Sequence, residues 1–157
     1  MTKPTRRFGW VKRPRAVQAV LDKLPRPIMA DHDRKIRGTG VGKVVLLYRF
    51  VEQLNGSFPI NKQDIGDCVG HGMAGAAEVL MAVDIAMRGE RELWKGLVAT
   101  EPIYAGSRVE VGKGRLGSGD GSIGAWAAKW VTNWGIIVRG KYGSIDLSTY
   151  SGSRARE

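Results

Sequence analysis

A single cysteine among 157 residues excludes an internal disulfide. That usage fits a reducing compartment, or a particle assembled in one. Two histidines and one cysteine at irregular spacing make a poor set for a metal, which takes three or four ligands, and no cofactor is expected. No run of eighteen apolar residues occurs, so no membrane partner is expected. The basic N-terminus has no apolar stretch behind it and does not read as a secretory signal. No internal repeat is visible. Acidic residues are scarce early on: residues 1–43 hold 12 Lys and Arg against 3 Asp and Glu, whereas residues 44–157 hold 13 against 12.

That asymmetry divides the chain into a basic N-terminal arm, 1–43, and a nearly neutral body, 44–157, large enough for one core. Arg6, Arg7, Lys12, Arg13 and Arg15 cluster around Trp10 and two prolines, a composition that favours extended chain. Such an arm is a solvated tail, or it meets an anionic partner, either nucleic acid or an acidic protein surface. A short helix is predicted over 15–24, stopped by Pro25 and Pro27. Gly38-Thr-Gly-Val-Gly-Lys43 superficially suggests a phosphate loop, but the glycine spacing is wrong and Val44 stands where a magnesium-binding hydroxyl belongs. A turn into Val44–Phe50 is the better reading, and periodicity leaves that run open between strand and helix.

The body reads mainly as helix. Asn55-Gly56-Ser57 marks a turn. From Cys68 to Arg88 there is no proline, and Val69, Met73, Ala76, Ala77, Leu80, Met81 and Met87 recur at helical spacing. Gly70, Gly72 and Gly75 are poor helix formers, at about 1 kcal/mol each against alanine, and point to a closely packed neighbour. Gly89 suits a C-terminal cap. Residues 90–110 predict one or two shorter helices, with Pro102 able to begin the second. A glycine loop over 111–121 precedes Ser122, a candidate N-cap for a helix carrying Trp126, Trp130 and Trp134 on one face. That face reads as packing against the Cys68 helix rather than base stacking, since only Lys129 is near it. Gly135 suits the C-terminal cap, Ile136–Val138 a short strand, and the tail from Ser148 is expected to fray.

Cys68 is the candidate nucleophile. A thiol attacks as the thiolate, which the unpaired N–H groups of a helix N-terminus stabilise, and one such N–H serves as an oxyanion donor. Gly66 permits a sharp entry into that helix. A lone cysteine is also a common core residue. His71, about one turn on, is in reach to perturb the thiol, though a packed or surface role suits it better. His32 has no evident partner.

The segment Gln63-Asp-Ile-Gly-Asp-Cys68-Val-Gly-His-Gly-Met-Ala resembles the active-site segment of papain-like cysteine peptidases. Asp120-Gly-Ser-Ile-Gly-Ala-Trp-Ala-Ala-Lys-Trp-Val-Thr-Asn-Trp-Gly-Ile-Ile137 resembles that family's glycine turn, helix and exit, and Tyr142 to Tyr150 falls at its tyrosine segment, without the proline. The likeness covers 61–150 and implies an α+β, mostly helical fold: the left-domain half, with a long central Cys helix. It implies Cys68 as nucleophile and Gln63 as oxyanion donor. Gln63 stands five residues before the cysteine where the family has six, and Val69 replaces a tryptophan. The family's histidine and asparagine lie in a right-hand β-rich domain downstream of the matched stretch. The Gly-Asp-Cys-Val form is most similar to domains encoded by tailed bacteriophages. The resemblance therefore implies a virion structural or assembly protein, made in the host cytoplasm and non-catalytic by itself. Its arm would meet other virion proteins or packaged DNA. The alternative is a thiol hydrolase, a peptidase or amidase, whose histidine comes from another chain or a longer product. A basic nucleic-acid-binding module is supported by charge alone.

Overall fold

The computed structural model describes residues 44–60, 62–88 and 93–156, with isolated positions 15, 19 and 42. The arm residues Arg6, Arg7, Lys12 and Arg13, most of the Gly38–Lys43 stretch and the Gly89 cap lie outside the described residues; Arg15 is helical and exposed. About half of the described residues are helical and two short strands form the one sheet among them, so the class is α+β.

The undecided run resolves as a lead-in, Val44–Leu47, to helix α1, Tyr48–Asn55. Only Val51 of α1 is fully buried. Gly56 ends it in the left-handed region at φ 82°, its N–H reaching Glu52 O at 2.8 Å, a conformation that strains any residue with a Cβ.

Helix α2, Cys68–Arg88, spans the stretch that the spacing predicted. Its Cys68–Met87 portion is long and apolar enough to cross a membrane by length and composition alone. It nevertheless packs on α1 and on two later helices, and buries Glu78. The close neighbour expected from its glycines is real at Gly70 only. A Cβ there would lie 2.9 Å from Thr100 O, whereas Gly72 and Gly75 have nothing within 4 Å.

Residues 93–99 are not helical, so among the described residues the region holds one helical element, α3, Thr100–Gly106, with Pro102 in its first turn. It runs on as a wider π-turn, Ser107–Val111, closed by Gly112 N–H donating to Ser107 O at 3.0 Å. Helix α4 is Gly124–Trp134, ended by Gly135 at φ 83°. Ser122 does not cap it. The position before the helix is Ile123, and the Ser122 hydroxyl is buried against Ser107 at 2.6 Å.

The tryptophan face meets the Cys68 helix through Trp130 and finds a second neighbour as well. Trp126 lies over Gly112 and Trp130 over Gly106, so both indoles seat on α3 and its π continuation. Helix α2 meets α4 lower down, through Ala74, Ala127 and Trp130 in the main core. Trp134 stacks on Trp130 at 6.1 Å and stays exposed. After α4 the chain is extended but forms only a bridge, Val98 to Val138, rather than a strand. Strands β1, Lys141–Tyr142, and β2, Ile145–Asp146, pair antiparallel as a hairpin.

The expected fraying of the tail is overturned. Ser151 N–H donates to Glu101 at 3.0 Å, Ala155 is buried, and Arg156 pairs with Asp120 through both carboxylate oxygens at 2.8 Å. Composition suggested a loose end; a buried carboxylate distant in sequence holds it down.

Candidate functional site

Cys68 is the first residue of α2 and is partly buried. The turn before it is tight: Asp67 N–H donates to Ile65 O at 2.8 Å across the buried Gly66. Asp67 then opens the helix, its carbonyl accepting from Gly70 N–H at 2.8 Å and His71 N–H at 3.2 Å.

The Asp67 side chain is fully buried. Its Oδ2 accepts from the Tyr150 hydroxyl at 2.8 Å, and its Oδ1 lies 3.5 Å from His71 Nε2. Neither Oδ1 nor Nε2 has a hydrogen-bond partner, so a proton on His71 makes the contact an ion pair. The His71 ring meets Tyr150 edge-on at 4.9 Å. Tyr150 also accepts from Asp64 N–H at 3.4 Å. Burial first, then the bond to Asp67, pushes its hydroxyl pKa up to about 12. Asp67, His71 and Tyr150 therefore form one polar cluster at the start of α2, joined by the Tyr150–Asp67 hydrogen bond.

Gln63, the other residue singled out from the sequence, is exposed, and its Nε2 donates to Ile65 O at 2.6 Å. It lines a depression of about 230 Å³ with Phe58, Pro59, His71, Ala74, Gly75 and Glu78. The fold thus brings Gln63 and His71 to one depression, whose lining does not include Cys68. One of the Gln63 amide donors is engaged two residues away rather than pointed at an incoming carbonyl. Asp67 and Tyr150 were visible as members of the quoted segments, but nothing in either segment indicated that they meet. Among the described residues no group of three or more His, Cys, Asp and Glu is placed to hold a metal ion.

Glu78, two turns below His71, is buried and accepts from Val98 N–H at 2.8 Å. Burial raises its carboxyl pKa above the ordinary 4.5, while the Val98 bond, Arg139 and His71 pull it down. The folded chain therefore holds this proton more tightly than the unfolded chain. Stability should fall as pH rises from the ordinary value through the raised one, then level off. Glu78→Gln keeps an acceptor for Val98 and is expected to remove that fall. Urea unfolding of both proteins across pH 4 to 8 checks it, and equal slopes would show that Glu78 is not the group responsible.

Cys68 thus stands at the N-terminus of α2, next in sequence to the buried Asp67. Comparison of the chain with protein families, curated proteins and solved structures finds no match. The chemistry of the site therefore rests on its geometry. His71 faces the Asp67 carboxylate from the same helix, and Tyr150 anchors that carboxylate from the other end of the body. Those contacts tie the C-terminal segment to α2.

Proposed function

We propose that the chain is a structural or assembly protein of a tailed-phage virion, built on the left-domain half of a papain-like fold and not catalytic by itself. The observation that supports the non-catalytic reading is the Asp67–His71–Tyr150 cluster, in which His71 lies 3.5 Å from the buried Asp67 carboxylate. A long helix beginning at Cys68 and a glycine-ended helix at Gly124–Trp134 support the half-fold reading. The virion setting rests on the likeness of the Gly-Asp-Cys-Val segment, and the basic arm supplies a surface for other virion proteins or packaged DNA.

The pH dependence of Cys68 alkylation tests the reading. Cys68 is expected to label slowly, along the titration of an ordinary thiol near pH 8.5, and Cys68→Ala should leave assembly unchanged. Rapid labelling well below pH 7 would replace this reading with a thiol hydrolase whose general base comes from another chain.

A further inference from the structure

Gly75 stands inside α2, where a glycine weakens the helix, and nothing lies within 4 Å of the place its Cβ would take. No close neighbour explains it, unlike Gly70, which Thr100 O crowds. The open space belongs to the depression that Gln63 and His71 line. His71, Gly75 and Glu78 border it from α2 at spacings of four and three, and so share one face of the helix. Its volume of about 230 Å³ is smaller than a drug-sized site and suits a single side chain.

Glu78 supplies the charge. It is 3% exposed, and one carboxylate oxygen accepts from Val98 N–H at 2.8 Å. The other, Oε2, has no hydrogen-bond partner among the described residues. A buried acceptor left unpaired is unfavourable, and an anionic one more so. Arg139, whose charge also acts on Glu78, directs its hydrogen bonds to Glu101, Thr100 and Leu147 O. Gln63 adds a second acceptor. Its Nε2 donates to Ile65 O at 2.6 Å, and its amide oxygen has no partner among the described residues. Phe58, Pro59 and Ala74 make the rest of the lining apolar.

An occupant that fits has an apolar stem and a compact, positively charged head that donates several hydrogen bonds. Those are the properties of a lysine side chain, with its methylene stem and an ammonium carrying three donors. A guanidinium suits the site less, because its fork matches two oxygens of one carboxylate and Val98 already holds one of them. We propose that this depression binds the side chain of a lysine, whose ammonium is received by the Glu78 carboxylate and the Gln63 amide oxygen. One source is the chain's own arm, which holds Lys3, Lys12, Lys23, Lys35 and Lys43. The body begins close to the site, since Tyr48 meets Phe58 edge-on at 5.9 Å. The other source is a lysine of another protein chain. The proposal stands whether or not the papain-like reading does.

The test uses the full chain and Nα-acetyl-lysine methylamide as probe, at about pH 8, a wide margin above 4.5 because burial raises the Glu78 carboxyl. Binding is read by NMR from the His71 imidazole, told apart from His32 by a His32→Gln variant. Saturable shifts are expected, with a dissociation constant on the order of a millimolar for so few atoms. The norleucine analogue, which keeps the stem without the charge, should bind about tenfold weaker or worse. The lysine probe should lose as much on Glu78→Gln, which keeps an acceptor for Val98. Gly75→Leu fills the open space and should remove the response with the melting temperature maintained. Replacing Lys3, Lys12, Lys23, Lys35 and Lys43 together by Gln separates the sources. Tighter probe binding shows that an arm lysine holds the site in the wild type, and unchanged binding assigns the site to a lysine of another chain. A probe that leaves the His71 signal unmoved in that variant overturns the proposal. So does equal binding of the norleucine analogue, or a Glu78→Gln protein that binds as well as the wild type.

Discussion

Glu101→Ala is expected to lower the unfolding free energy by about 3–5 kcal/mol, the cost of leaving a buried charge without its partner. Glu101 is 2% exposed, and its carboxylate serves three parts of the chain. Arg139 Nη1 approaches both oxygens, at 3.2 and 3.3 Å; the Ser151 N–H donates at 3.0 Å and the Thr100 hydroxyl at 3.3 Å. Arg139 also donates to Leu147 O at 3.3 Å. One side chain on α3 thus holds the extended segment after α4 and the C-terminal tail. Truncation strands a guanidinium whose side chain is only 11% exposed and leaves the Ser151 N–H unpaired. Glu101→Gln keeps an acceptor for Ser151 but not the charge, and should fall between. Arg139→Ala should cost nearly as much as Glu101→Ala, and the double variant less than their sum. Urea unfolding of the four variants and the wild type measures this. A loss below about 1 kcal/mol for Glu101→Ala would mean that Arg139 swings out to water and that the tail is held by other contacts.

The second large effect is at Gly106, where replacement by alanine should cost about 3 kcal/mol, at the upper end of the overpacking range. In most helices the same change is favourable, by up to about 1 kcal/mol. Here an added Cβ would overlap the pyrrole edge of Trp130, which is buried and stacked on Trp134. Gly75→Ala is the internal contrast, because nothing lies within 4 Å of that site and a small gain is expected. Trp130→Ala should itself cost about 3–5 kcal/mol through the cavity it leaves. In the Trp130→Ala background Gly106→Ala should become nearly neutral, which assigns the cost to that one contact. If Gly106→Ala is neutral in the wild-type background, α3 and α4 are not pressed together at this point.

Local order was well marked in the residues. The α2 span followed from an unbroken apolar period without proline, and the ends at Gly56 and Gly135 from residues that tolerate the left-handed region. Long-range choices were not. Ser122 has the chemistry of a cap, but the Ser107 hydroxyl competes for it across the fold. The tryptophans at spacing four share a face, yet spacing does not say which helix brings the glycines that admit them. Val44–Phe50 was undecided because a short apolar run satisfies either period. The candidate site divides in the same way. Cys68 and its position at a helix start were readable from its neighbours. The buried Asp67 between His71 and Tyr150 was not, because Tyr150 reaches it from 83 residues downstream.

The sequence by itself determined the uneven charge, the single thiol, the positions of the main helices and the glycines at their ends. These depend on neighbours within a few residues, where periodicity and backbone preference act directly. Tertiary structure alone decided which glycines are contacts and which are bare, that the tail is pinned by Glu101, and that the thiol shares its helix start with a buried carboxylate. Each of those depends on two groups far apart in the chain, and burial, which sets the strength of both packing and charge, exists only once they have met.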